Sequence, residues 1–357
     1  MSLPRHTCET GRKSGRDQDM HGRQALVTGA AGFIGSYLSE RLLSEGWTVV
    51  GVDNFDDFYD PRIKRQNISA CLKNKNFELI EADIRDKIAM EEICTEAVEI
   101  IVHLAAKAGV RPSIDEPLLY ADVNVNGTVV LLEAARRCNI GKFIFGSSSS
   151  VYGNNKKIPF SEDDNVDFPI SPYAATKKGG ELICHTYHHL YGMRITCLRF
   201  FTVYGPRQRP DLAIYKFARL IEQGESIAIY GDGTAMRDFT YIDDIIDGTV
   251  AAVNQLMAGD RGQNEGSVAV SGFNIYNLGE SRPLAVNDLI IEIEKTLGKK
   301  AVKEYLPPQP GDVERTYADI RKAARELGYN PKTSIHEGLA KFVTWLRSSP
   351  NVTMQGV

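Results

Sequence analysis

The chain has 357 residues, 43% of them hydrophobic and 25% charged, with a formal net charge of -4. This is the profile of a globular protein large enough for two domains, taking roughly 150 residues per domain. It offers no broad basic field for nucleic acid, and no window approaches the roughly 18 apolar residues of a membrane helix. Six cysteines, Cys8, Cys71, Cys94, Cys138, Cys184 and Cys197, lie far apart with no CxxC pair. They predict the reduced thiols of a cytoplasmic protein, neither a disulfide framework nor a metal site.

Residues 1–22 place Arg5, Arg12, Lys13 and Arg16 among small polar residues with no apolar run, and read as an unfolded tail. Residues 349–357 read as a second tail. Between them, short apolar runs alternate with amphipathic segments. Strands are expected at 24–28, 48–52, 77–80, 100–104, 142–147 and 194–200, and helices at 33–45, 87–97, 118–138 and 173–191. That alternation predicts an α/β fold: a Rossmann-type doubly wound parallel sheet covered by helices on both faces. Beyond Phe201, prolines and glycines break the rhythm, and a smaller α+β domain is expected. The boundaries read as 23–201 plus about 240–258 for the first domain, and 202–239 plus about 259–348 for the second.

The first strand runs into Thr28-Gly29-Ala30-Ala31-Gly32-Phe33-Ile34-Gly35, which opens a helix. Glycines at 29, 32 and 35 suit a tight turn, close approach of a pyrophosphate to the backbone, and close helix–strand packing. The amides of the first helical turn, at Phe33 and Ile34, then face the phosphates at the positive end of the helix dipole. The second strand ends at Asp53, where a carboxylate accepts hydrogen bonds from an adenosine ribose. It repels a 2′-phosphate, and the adjoining Asn54-Phe55 supplies no arginine, so the expected cofactor is NAD.

Tyr173-Ala174-Ala175-Thr176-Lys177 puts a phenol and an ammonium one helical turn apart. A tyrosine pKa of about 10 is too high for a base at neutral pH. The expectation is that Lys177 and a cationic nicotinamide pull it down. Upstream, the fifth strand empties into Ser147-Ser148-Ser149-Ser150-Val151-Tyr152-Gly153, and hydroxyls at the carboxyl end of a parallel strand point into the ligand crevice. His185, His188 and His189 share helical spacing, but Tyr187, Leu190 and Tyr191 interleave with them. A packed or partner-facing helix is expected there, with no metal.

The GxxGxxG spacing resembles the extended branch of the short-chain dehydrogenase/reductase superfamily, the NAD-dependent epimerases and dehydratases. Within it, the stretches 53–60 (DNFDDFYD), 108–111 (AGVR), 147–153, 171–178, 199–211 (RFFTVYGPRQRPD), 237–244 and 310–313 (PGDV) resemble the UDP-glucuronate 4-epimerases. The resemblance covers about residues 24–345 and makes the first domain the NAD-binding one and the second the nucleotide-sugar-binding one. It implies that Asp83 and Ile84 meet the adenine and that Leu104, Ala105 and Ala106 let the cofactor lie across the sheet. His103 is kept as a strand-end structural histidine.

The same resemblance assigns Tyr173, Lys177 and Ser148 to catalysis, with Ser148 on the reacting hydroxyl. Dehydratases and decarboxylases of the branch carry an acid just after that hydroxyl. Ser149 and Ser150 stand there instead, so the expected reaction is 4-epimerisation. Galactose-type epimerases have Asn at Thr202 and Arg at Gln309, which argues against plain UDP-glucose. A uronate oxidised at C4 is a β-keto acid, and its carboxylate must be held out of line with the new carbonyl. Ser149, Ser150 and a guanidinium can do this by bidentate hydrogen bonding, Arg209 first and Arg111 second. Arg237 and Asp312 are expected on the UDP moiety, with Thr202, Lys216 and Tyr230 as weaker candidates. The resemblance implies homodimers through helices near 118–138 and 173–191, with which Leu131, Leu132, Leu182 and Ile183 are compatible, though they would serve equally in the core. Decarboxylation of the same acid, epimerisation of another UDP-sugar, and a non-catalytic NAD-binding role are the alternatives.

Overall fold

The computed structural model describes residues 23–258, 272–309, 311 and 313–348. The tails at 1–22 and 349–357 lie outside the described residues, as does Asp312. The first half of the chain runs β1 (Gln24–Thr28), α1 (Phe33–Ser44), β2 (Thr48–Asp53), α2 (Pro61–Asn67), β3 (Phe77–Glu81), α3 (Lys87–Ile93) and β4 (Ile100–His103). It continues through α4 (Val110–Asp115), α5 (Pro117–Ala121), α6 (Gly127–Arg137), β5 (Lys142–Ser148), α7 (Pro172–Tyr191) and β6 (Arg194–Phe200). The helix expected at 118–138 is two α segments joined by a π turn over Asp122–Asn126.

The strands form one parallel seven-stranded sheet in the order β11-β6-β5-β4-β1-β2-β3, where β11 spans Phe273–Leu278. Chain order reverses on either side of β1, so β1 and β4 part at their carboxyl ends and leave the crevice where ligands of such sheets bind. Along β1, Ala25 and Val27 join one apolar cluster and Leu26 joins the other, which is the period-two alternation of a strand buried on both faces.

The second half adds short pairs beside that sheet. β7 (Thr202–Tyr204) pairs with β10 (Phe239–Tyr241), and β8 (Ser226–Tyr230) pairs with β13 (Val302–Leu306), both parallel. β9 (Met236–Arg237) pairs antiparallel with β12 (Leu284–Ala285). Helices α8 (Ala213–Gln223), α10 (Val286–Leu297) and α12 (Ile335–Ser348) bury Phe217, Ile293 and Phe342 among them. Helix α9 (Ile242–Ala258) packs on α1 and the large sheet, as the sequence rhythm implies. The exception is β11: its sequence position falls in the smaller unit, yet it closes the edge of the large sheet against β6. Neighbours in a sheet need not be neighbours in sequence, and the short run 273–278 carries no mark of its partner.

Candidate active site

The turn after β1 is set by close contact. Gly29 has φ +70°, and a Cβ there would sit 2.8 Å from the Ala105 nitrogen, so the turn and the segment after β4 touch backbone to backbone. Helix α1 begins at Gly32 with no side chain capping it, leaving the first-turn amides of Phe33 and Ile34 facing the crevice mouth without a side-chain acceptor. Leu104, Ala105 and Ala106 follow β4 directly alongside, with Leu104 N–H donating to the Thr28 carbonyl at 3.1 Å. His103 is buried, bridging Thr28 Oγ1 at 2.7 Å and Thr128 Oγ1 at 3.0 Å. Burial, with Lys177 adding repulsion, pushes its pKa down to about 3. A neutral bridging imidazole fits the structural role expected of it.

At the tip of β2, Asp53 Oδ2 accepts from Ala31 N–H at 3.0 Å and Oδ1 from Phe55 N–H at 2.9 Å. Burial pushes its carboxyl above the ordinary value; Lys64 and these two amides oppose the shift. No arginine comes from Asn54-Phe55, but a lysine stands near: Lys64, eleven residues on, brings its Nζ to 3.9 Å from Asp53. That ammonium also donates to the Asp56 carbonyl at 2.8 Å and is nearly enclosed, so it offers no open cation to a 2′-phosphate. Asn54 donates to Asp83 at 3.0 Å, and the Arg85 fork holds the Asp83 carboxyl down at about 2. Ile84 is buried beside it. An uncapped helix start, a backbone-lined turn and a carboxylate at the tip of β2 together fit a dinucleotide.

Helix α7 carries the candidate pair Tyr173 and Lys177. Ser171 caps it, its hydroxyl accepting from Ala174 N–H at 3.2 Å, and Pro172 holds the first helical position, so Tyr173 stands in the first turn. At Gly180 a Cβ would lie 2.3 Å from the Phe145 ring, and its absence lets α7 lie close on β5. Ser148, the last residue of β5, acts on the Tyr173 phenol and draws its pKa down. Ser148 in turn caps the short turn after it, accepting from Ser150 N–H at 3.1 Å, and its hydroxyl meets that of Ser150 at 3.1 Å. Ser149 lies between them, partly exposed.

The electrostatics differ from expectation. Burial pushes the Tyr173 phenol above its ordinary value, and the opposing influences are the Ser148 hydrogen bond and the Arg209 guanidinium. Lys177 does not supply that help: its Nζ donates to the Gly146 carbonyl at 2.6 Å, and burial pulls its pKa down to about 8. The lysine sits on the strand, below the phenol, and the cation acting on Tyr173 comes from another loop.

Arg209 is gripped from both sides. Its Nε and Nη2 donate to Asp211 at 2.9 and 2.6 Å, Nη2 reaches the Ala108 carbonyl at 3.4 Å, and its guanidinium lies 5.2 Å from the centre of the Phe58 ring. The bidentate edge expected to hold a substrate is therefore already paired, leaving Nη1 outward. Adjoining it, a cavity of about 1510 Å³ is lined by Arg111, Thr202, Lys216, Tyr230 and Arg237. Arg111 lies 4.4 Å from the centre of the Tyr230 ring, joining the two halves of the chain across it. Thr202, Lys216 and Tyr230 thus share one cavity with Arg111 and Arg237, whereas Arg209, Ser149 and Ser150 are not among its lining residues.

Three features escaped sequence reading. Glu181, one turn beyond Lys177, and Arg199 on β6 form an ion pair 1% exposed on each side. Arg199 Nε and Nη2 donate to Glu181 at 2.8 and 2.9 Å, Ser147 donates to the same carboxylate at 2.7 Å, and Arg199 Nη1 reaches the Tyr152 hydroxyl at 2.9 Å. Asp238, fully buried, accepts from the N–H groups of Glu280, Ser281 and Ala318 and so anchors the segment that carries Arg237. Phe58 faces Arg209. A charged residue inside an apolar strand, as at Arg199, is the signal that could have found the first of these. Of the apolar residues open to either a dimer face or the core, Leu131 and Leu132 are 0% exposed and belong to the core, while Leu182 is 56% exposed.

The sequence profile of the GDP-mannose 4,6-dehydratase family matches residues 26–342. A UDP-glucuronate 4-epimerase of Thermodesulfobacterium geofontis is 44% identical over 326 residues, covering 91% of this chain and 96% of the relative. The crystal structure of the UDP-glucuronic acid 4-epimerase from Bacillus cereus in complex with UDP-glucuronic acid and NAD superposes with a TM-score of 0.83 at 38% identity, covering 91% of this chain and 99% of that one. A UDP-N-acetylglucosamine 4-epimerase from Methanobrevibacter ruminantium, in complex with UDP-N-acetylmuramic acid, gives a TM-score of 0.80 at 32% identity, covering 92% and 99%. With its glycine turn, its Tyr173–Lys177 helix and a profile match spanning both halves, this chain belongs to the GDP-mannose 4,6-dehydratase family.

Proposed function

We propose that the protein is an NAD-dependent nucleotide-sugar 4-epimerase that interconverts UDP-glucuronate and UDP-galacturonate through a 4-keto sugar. The observation that carries this reading is the convergence of Tyr173, Ser148 and Arg209. Both the Ser148 hydroxyl and the Arg209 guanidinium draw the pKa of the Tyr173 phenol down, while Ser149 and Ser150 stand where an acid would.

Tyr173 takes the O4 proton, and Ser148 holds O4 by the hydroxyl it shares with Ser150. NAD, bound across Gly29–Gly35, Asp53 and the segment after β4, accepts the C4 hydride and returns it to the other face of the sugar. Lys177, anchored on Gly146, stands where a nicotinamide ribose would meet it. Arg209 adds positive charge beside the phenolate and offers Nη1 to the C5 carboxylate. Arg237, Lys216, Tyr230 and Arg111 line the cavity for the UDP moiety, and Thr202 lines its sugar end. The 4-keto sugar turns about its diphosphate tether while that end stays held.

Incubation with UDP-glucuronate, with products resolved by NMR, tests the assignment. UDP-galacturonate is the expected product; a UDP-pentose as the main product, or no conversion, rejects it. We also infer a homodimer through α5 and α7, where Leu118, Leu182, Leu190 and Tyr191 are 85, 56, 60 and 49% exposed. A cytoplasmic location is supported by the five described cysteines, none of them in a disulfide.

A further inference from the structure

The loop after β2 does more than present Asp53. Phe55 N–H and Lys64 tie its start to the Asp53 carboxylate and to the Asp56 carbonyl. Phe58 N–H donates to Asp56 Oδ1 at 3.0 Å, and Lys107 Nζ holds the same carboxylate at 2.9 and 3.1 Å. The backbone of Lys107 is pinned in turn by Asn124, which accepts from its N–H at 2.8 Å and donates to its carbonyl at 3.0 Å. Asn124 also donates to Thr176 on the catalytic helix at 3.0 Å. The Phe58 ring is therefore fixed from the nucleotide side. On its faces stand two cations, Lys107 Nζ 5.5 Å and the Arg209 guanidinium 5.2 Å from the ring centre. Asp56 neutralises the first, so the negative face of the ring serves the second.

Arg209 has few other holds. Asp211 is on its own loop, and the Ala108 carbonyl at 3.4 Å is distant. The groups charged or titratable around it are Asp211, Lys64, Tyr59, Tyr120 and Tyr173, and none of the tyrosines fixes it by a hydrogen bond. The ring of Phe58 is the contact that sets the guanidinium against the sugar site from outside its own loop.

We propose that Phe58 is a specificity-determining residue that positions Arg209 for the carboxylate of an acidic sugar. The proposal rests on the UDP-glucuronate reading above. Its chemical consequence appears at the 4-keto stage. If the carboxylate swings into line with the carbonyl, the bond from C5 to the carboxyl carbon breaks and CO₂ leaves. The electron pair passes into C5 and O4 as an enolate, and C5 then takes a proton from water. The product is a UDP-4-keto-pentose, released with the cofactor left reduced. A well-placed guanidinium suppresses this path.

The test uses the full chain in a Tyr173→Phe background, expected to turn over too slowly to disturb a titration, and titrates UDP-glucuronate and UDP-glucose by calorimetry with NAD present. Phe58→Leu is expected to weaken UDP-glucuronate roughly five- to tenfold, the span of a cation–π contact, and to leave UDP-glucose unchanged. Phe58→Tyr, which keeps the ring, restores the difference. In the Tyr173 enzyme, Phe58→Leu should also raise the share of decarboxylated pentose relative to epimer. Equal weakening of both sugars, or no weakening of either, overturns the role of Phe58 while leaving the substrate reading standing. No preference for UDP-glucuronate over UDP-glucose with Phe58 intact overturns the substrate reading itself, and the proposal with it.

Discussion

Replacing Glu181 by Leu removes the one carboxylate that Arg199 touches among the described residues. The guanidinium is 1% exposed and loses hydrogen bonds of 2.8 and 2.9 Å, keeping only Tyr152. Ser147 loses its acceptor at 2.7 Å as well. At an effective dielectric near 20, a pair of charges roughly 4 Å apart is worth about 4 kcal/mol. Breaking one side of a buried pair costs about 3–5 kcal/mol. For a chain of this size that lowers the Tm by on the order of 10 °C. The pair itself need not be net stabilising, because both charges had to leave water. Glu181→Leu/Arg199→Met should therefore recover most of the loss. The assay is thermal and urea unfolding of the four proteins of that cycle, with turnover measured well below each midpoint. Turnover should fall in the single variant even when it is folded, since Ser147 adjoins Ser148 and Glu181 lies one turn from Lys177. A single variant that loses less than about 1 kcal/mol, or a double variant no more stable than the single, refutes the reasoning.

Other outcomes follow from the same site. Tyr173→Phe should cut turnover about 10²–10⁴-fold while leaving UDP-glucuronate binding measurable by calorimetry; a loss within about tenfold removes Tyr173 as the base. His103 has its pKa pushed down to about 3, so below its unfolded value of about 6.5 the unfolded chain binds a proton that the folded one refuses. Stability should fall by about 1.4 kcal/mol per pH unit from about 6.5 towards 3. His103→Gln should flatten that slope in unfolding curves between pH 6.5 and 4; an unchanged slope assigns the acid sensitivity elsewhere. Leu182→Asp, on the exposed face of α7, should convert a dimer to a monomer in light scattering, and a persisting dimer places the interface on another surface.

The sequence was most legible where chemistry and periodicity coincide. Gly29, Gly32 and Gly35 stand at a strand end and a helix start, and the structure has a backbone-lined turn and an uncapped helix there. Tyr173 and Lys177 share a helix whose cap, Ser171, is visible in the string. Less legible was anything set by contact between distant segments. Lys64 reaching Asp53, Arg199 pairing with Glu181 and β11 joining β6 all depend on packing that no local window encodes. The reading that Lys177 lowers the Tyr173 pKa failed for the same reason. Spacing of four places two side chains on one face, but it does not say that Gly146 takes the ammonium.

Asp211 gives the guanidinium beside the phenol a resident counter-ion. On the reading proposed above, an acidic sugar meets Nη1 of an arginine whose other edge keeps Asp211, so no bare charge is created as the sugar arrives or leaves. Affinity is thereby given up, since Asp211 already offsets part of the charge that the incoming anion meets. What is won is release. A sugar that must let go, turn over and be gripped again with its other face forward meets a cation that is never left unsatisfied in between. Asp211→Asn should tighten UDP-glucuronate and UDP-galacturonate alike while slowing the turnover that joins them, the mark of a site tuned for passage over capture.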